Sequence, residues 1–143
     1  MPKRRFLVGL LVVTMACLSA ISVSAYEHNT NFGDDCHGLS EEPTLTTSGG
    51  LHPIGQGLTE CDTSHWTITT GTQIKEMTGG GWVKIGDSGV QCGSIHPNIQ
   101  CWALADAPEC INQDYRVEST HYAEVGVNSW FDYTGQNGTI TGC

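Results

Sequence analysis

The stretch YRVESTHYAEVGV, residues 115–127, decides the fold class. Tyr115, Val117, Ser119, His121, Ala123, Val125 and Val127 fall on one side of a two-residue period, with Arg116, Glu118, Thr120, Tyr122 and Glu124 on the other. A strand with one buried face produces this alternation, whereas a helix would scatter the same residues around its axis. Strands average about five or six residues. A run this long therefore predicts a bent strand, bulged near Ser119.

The residues on either side repeat the signal in shorter pieces. In HWTITT (65–70), Trp66 and Ile68 oppose Thr67 and Thr69. Gly71 breaks that run, and TQIKEM (72–77) fits a strand or one helical turn. Gly79-Gly80-Gly81 reads as a flexible join, and WVKIG (82–86) as a strand closed by a turn at Asp87-Ser88-Gly89. VQC (90–92) and IQCWALA (99–105) flank Pro97-Asn98, which suits a turn. Folding these two runs together sets Cys92 beside Cys101. Asp106-Ala107-Pro108-Glu109 has a capping Asp with Glu three residues later, so one helical turn is expected there. WFDYTGQ (130–136) and TITGC (139–143) flank Asn137-Gly138, a strong two-residue hairpin signal.

Residues 26–60 differ. The segment is rich in Gly, Thr, Ser and acids and has no sustained period, so it reads as an irregular lead-in tied down by Cys36 and Cys61, with a short strand near Thr44–Thr47. The expected architecture is all-β: a small antiparallel β-sandwich or barrel at 61–143, one folded unit with its lead-in.

The first 25 residues have the layout of a secretory signal peptide. A basic start (Lys3, Arg4, Arg5) precedes an apolar run from Phe6 to Leu18, and Val23-Ser24-Ala25 supplies small residues for cleavage after Ala25. Left uncut, Phe6 to Ala25 is long enough to span a bilayer as an anchor, although Ser19, Ser22 and Ser24 weaken its far end. Cleavage removes Cys17 and leaves six cysteines: Cys36, Cys61, Cys92, Cys101, Cys110 and Cys143. An even number in a small exported domain predicts three disulfides, with Cys92–Cys101 the first pairing expected. No two of them have the close spacing of structural zinc sites. Each bridge is worth about 2–4 kcal/mol.

Cleavage also removes three of the six basic residues. Lys75, Lys84 and Arg116 remain against fifteen carboxylates, a formal charge of −12. Phosphate neutralisation needs clustered cations, so nucleic acid is excluded as a partner, and attraction to anionic membrane is disfavoured.

Several constellations invite chemistry. After cleavage, Tyr26-Glu27-His28 would offer an amine, two backbone amides and an imidazole in a plane, the set that captures Cu(II) or Ni(II). Asp34, Asp35 and His37 surround Cys36 without the alternating ligands of a calcium loop. Glu60, Asp62, Ser64 and His65 suggest a hydrolytic set, but a triad is defined by geometry rather than by neighbourhood in sequence. His121, on the buried face, reads first as a packed histidine. Glu118 and Glu124 stand about 20 Å apart along a strand, too far for a glycosidase pair. Arg116 and Glu118 read as a surface ion pair. Of Trp66, Trp82, Trp102 and Trp130, one or two are expected in the core. NSWFDY marks Trp130, Phe131 and Tyr133 as binding residues, and Asn137-Gly138-Thr139 is an N-glycosylation sequon.

Bridged thiols are not nucleophiles, cations are scarce, and no acid–base set is legible. The expectation is a secreted, non-enzymatic binding protein whose partner is an extracellular protein or glycan. The alternatives are a small hydrolase built around His65 or His121, and metal capture at the new N-terminus.

Overall fold

The computed structural model describes residues 27–33, 35–93 and 99–143. The expected signal peptide, Tyr26, Asp34 and the Pro97-Asn98 turn lie outside them. Nine strands occupy these residues: β1 (Asn29–Phe32), β2 (Cys36–Ser40), β3 (Thr44–Thr46), β4 (His52–Cys61), β5 (Thr67–Thr78), β6 (Gly81–Gly93), β7 (Ile99–Asp106), β8 (Gln113–Val125) and β9 (Asn128–Ile140). They form two antiparallel sheets. In sheet A, β2 and β3 pair in succession with one edge of β4, β1 pairs with β2, and β7 pairs with the other edge of β4. Sheet B has the order β6-β5-β8-β9.

Residues 115–125 lie in β8, and the alternation holds on the inner face from Tyr115 to Ala123, with Tyr115, Val117, Ser119, His121 and Ala123 all buried. Arg116 is buried as well, whereas Val127 lies fully exposed in the turn after β8. Its pairing with β5 and β9 runs unbroken past Ser119. The irregularity lies instead between Ile74 and Lys75, in the β5–β6 ladder.

The interior is layered along β8. Near one end, Tyr115 packs with Ile74, Ala105, Ala107 and Ile140. Near the other, Ala123 packs with Phe32, Ile68 and the sulfurs of Cys36, Cys61 and Cys101. Between these apolar clusters runs a buried polar belt of Ser40, Thr59, Thr70, Thr72, Ser119, His121 and Thr134.

All three disulfides form: Cys36–Cys61, Cys92–Cys101 and Cys110–Cys143. Cys36–Cys61 joins directly opposed residues of β2 and β4. Cys92–Cys101 joins β6 to β7, which belong to different sheets rather than forming the expected ladder. On the far side, Thr30 Oγ1 donates to Asp132 at 2.6 Å, and the Gly135 amide donates to the Glu27 carbonyl at 3.0 Å. Both open sides of the sandwich are thus closed.

The lead-in at 26–60 is corrected: the described part is regular and supplies most of sheet A. Its period was hidden because the inward positions of β2 and β4 carry small or polar residues, including Gly38, Ser40, Gly55, Gly57 and Thr59. The opposite sheet requires this. A Cβ on Gly38 would overlap the His121 ring, one on Gly55 the Val117 side chain, and one on Gly57 the hydroxyls of Thr72 and Ser119.

Several local expectations change as well. Asn137-Gly138 lies inside β9, opposite Arg116 and Tyr115, and the β8–β9 turn falls at Gly126-Val127, where Gly126 has φ 63°. Asp87-Ser88-Gly89 and Gly71 lie within paired strands, and β5 turns into β6 at Gly79-Gly80. Of its two readings TQIKEM takes the strand, whereas residues 107–112 contain no helical turn. No tryptophan of the described residues is fully buried, and Trp66 is 63% exposed. The Arg116–Glu118 pair is largely buried rather than superficial.

Overpacked cores lose about 1–3 kcal/mol. Gly57→Ala is expected to lower stability by about that amount, read as a lower urea midpoint. An unchanged midpoint would contradict the packing described.

Candidate functional site

His121, on the inner face of β8, is 0% exposed. Its Nδ1 lies 2.9 Å from Thr59 Oγ1 and its Nε2 2.7 Å from Thr134 Oγ1. A neutral imidazole has one donor and one acceptor, and each faces a hydroxyl that can take the complementary role. The chain continues outward: Ser40 Oγ bridges Thr134 (2.7 Å) and Ser119 (2.9 Å), and Thr70 donates to the Cys101 carbonyl at 2.6 Å. These bonds satisfy groups that would otherwise be costly to bury. Burial pushes the imidazole pKa down to about 4, with Asp132 partly opposing the shift.

His65 is also turned inward. Its Nδ1 donates to the Thr63 carbonyl at 2.9 Å, and its Nε2 lies 3.5 Å from both Asp35 Oδ1 and Cys36 Sγ. The Trp130 ring meets it edge-on at 5.9 Å. Asp62 and Ser64 are exposed, so the hydrolytic set suggested by sequence does not converge.

The open surface is the outer face of sheet B. Register places Gly89, Gly71, Thr120 and Tyr133 in one row across four strands, and Asp87, Gln73, Glu118 and Gly135 in the next. With no side chain at Gly71, the face sinks into a trough of about 250 Å³ lined by Gly71, Gln73, Asp87, Glu118, Thr120 and Tyr133 among others, with Gly89 opposite Gly71 in the register. A Cβ at Gly89 would meet nothing within 4 Å, so the space above it is empty. Tyr133 (47% exposed) borders the trough, and Phe131 (54% exposed) packs edge-on against it at 4.6 Å.

Polar groups in the trough are held in place. Glu118 accepts from Lys75 (2.5 Å) and Gln73 (2.9 Å) at Oε2 and pairs with Arg116 Nε (3.0 Å) at Oε1. Lys84 pairs with Asp87 at 3.1 Å. Lys75, Lys84 and Arg116, every cation after residue 25, therefore belong to this sheet.

Of the binding residues read from sequence, Phe131 and Tyr133 lie on this face, while Trp130 points the other way and packs against the apolar cluster of Phe32 and Ile68. Asn137 is exposed on β9 near Trp82. His28 is exposed just before β1, and the carbonyls of Glu27 and His28 accept from Gly135 and Ser40. Exposed His37 is 3.9 Å from Asp62. Gly71, Gln73, Asp87, Gly89, Glu118 and Thr120 were not read as one site, since three strands contribute them. The available signal was glycine inside a strand, which marks close approach by another group. Compared with protein families, curated proteins and solved structures, the chain matches none.

Folded His121 stays neutral down to about pH 4, while an unfolded imidazole takes a proton near pH 6.5. Its contribution is complete above pH 6.5 and is lost as pH falls towards 4, roughly 3 kcal/mol in all. In an NMR titration the His121 Cε1 proton should have a midpoint near 4; a midpoint near 6.5 would refute a neutral, enclosed ring.

Proposed function

We propose that this protein is a secreted, non-catalytic binding domain that takes a neutral glycan in the trough of sheet B. The observation that carries the reading is the glycine-floored trough bordered by a mutually braced Phe131–Tyr133 pair. An aromatic face offers apolar surface to the C–H side of a sugar ring. The fixed carboxylates, Gln73 and Thr120 offer donors and acceptors to its hydroxyls. The trough is smaller than the roughly 300–1,000 Å³ of drug-sized pockets, which suits one or two sugar rings. A neutral ligand also fits the electrostatics, because the cations of this sheet are already paired with Glu118 and Asp87.

The hydrolase reading loses its support, since the two candidate histidines are enclosed. Export accords with three disulfides in a small all-β domain. A protein partner would favour the outer face of sheet A, where Leu39, Leu58 and Trp102 align across three strands.

Calorimetric titration with a panel of neutral oligosaccharides tests the proposal. Phe131→Ala and Tyr133→Ala are each expected to weaken binding about tenfold, the worth of one aromatic contact, with little change in thermal midpoint. Gly89→Val should narrow the trough from its β6 side, opposite Gly71, and abolish binding in a folded protein. Binding that survives Gly89→Val, or a panel without a ligand, would overturn the assignment.

A further inference from the structure

Cys36, Cys61 and His65 each direct a ligand atom to one point, all within 4.8 Å of one another. The β2–β4 register sets Cys36 opposite Cys61, and the chain turns back just beyond β4 to bury His65 beside them. Because Nδ1 donates to the Thr63 carbonyl, Nε2 is the nitrogen that faces Cys36 Sγ. Metal-binding imidazoles are oriented in this way, one nitrogen tied to a carbonyl and the other aimed inward. Asp35 flanks these three and lies close to two of them, His65 and Cys36. Its Oδ2 is held by the Thr63 amide (2.8 Å) and hydroxyl, while Oδ1 lies 3.5 Å from His65 Nε2 and 3.8 Å from Cys36 Sγ.

We infer that reduction of Cys36–Cys61 converts this corner into a Zn(II) site, with both sulfurs and His65 Nε2 as ligands and Asp35 Oδ1 as the fourth. Two sulfurs, a nitrogen and an oxygen suit tetrahedral Zn(II). At Zn–S distances of about 2.3 Å the sulfurs stand roughly 3.8 Å apart, a separation that side-chain rotation supplies. The balance is simple. A dithiol gives two electrons and two protons to the S–S bond and becomes a disulfide itself. Zn(II) then displaces the two thiol protons. A cavity of about 240 Å³, lined by Asp35, Cys36, His37 and Asp62 among others, adjoins the site and offers the ion acidic access. The β2–β4 tether passes from a covalent bond to a metal, so ion binding supports the fold after reduction. The site shares no residue with the sheet B trough and does not depend on the glycan reading.

The test uses purified protein reduced with a phosphine, which leaves no competing thiol. One equivalent of Co(II) should produce the visible bands of a tetrahedral, thiolate-bound ion, and Zn(II) should displace it. Adding Zn(II) should slow alkylation of Cys36 and Cys61 relative to the metal-free reduced protein, while the rates at Cys92, Cys101, Cys110 and Cys143 stay unchanged. His65→Ala should weaken Zn(II) at least about tenfold, while Cys92→Ala/Cys101→Ala should retain it. Absence of the bands, protection of a different cysteine pair, or equal affinity in His65→Ala would each overturn the inference. The alkylation pattern is read on the wild-type chain and stands even where a variant fails to fold.

Discussion

The structure depends on the fit of side chains on sheet B into glycines on sheet A. His121 sits where Gly38 has no side chain, Val117 where Gly55 has none, and Ser119 and Thr72 where Gly57 has none. These contacts set how closely the sheets approach. They also determine that the middle of the core is hydrogen-bonded rather than greasy. Each hydroxyl in the belt is worth little while paired, about 1 kcal/mol net, but costs more if its partner is removed. Such a belt favours one registration of the two sheets, because a slipped sheet would leave buried groups unsatisfied.

The apolar clusters on either side of the belt are small, and the disulfides are placed to compensate. Cys36–Cys61 lies inside one cluster and Cys92–Cys101 closes the β6–β7 side. Cys110–Cys143 ties the residues after β9 to the segment between β7 and β8. With Thr30–Asp132 on the far side, the lateral openings are occupied and the two outer faces remain available for recognition.

Those faces differ in chemistry. Sheet A presents an apolar row, whereas sheet B gathers the cations of the described chain and neutralises them against Glu118 and Asp87. On a protein with fifteen carboxylates and few cations, this is a locally balanced surface. Glu118, with two donors and the Arg116 guanidinium in place, is held still before any ligand arrives, which limits the ordering cost of binding.

Much was determined by sequence alone. Alternation in β8 specified an all-β fold, because only a strand segregates Tyr115, Val117, His121 and Ala123 from Glu118 and Glu124. Cysteine parity and the spacing of Cys92 and Cys101 anticipated bridges. Of Trp130, Phe131 and Tyr133, alternation alone showed that Phe131 and Tyr133 share a face opposite Trp130. Tertiary structure decided the rest. Hydrophobic periodicity cannot register a buried face made of glycine, serine and threonine, so β2 and β4 went unread. Turn propensity placed Asp87-Ser88-Gly89 and Asn137-Gly138 in loops, but cross-strand pairing with β5 and β8 outweighed it. The trough exists only once three strands align Gly71, Gly89 and Glu118, and the cysteine–histidine corner only once the β2–β4 register opposes residues distant in the chain. Local pattern reports which face a side chain takes, and only the packing of one sheet on another reports what it meets there.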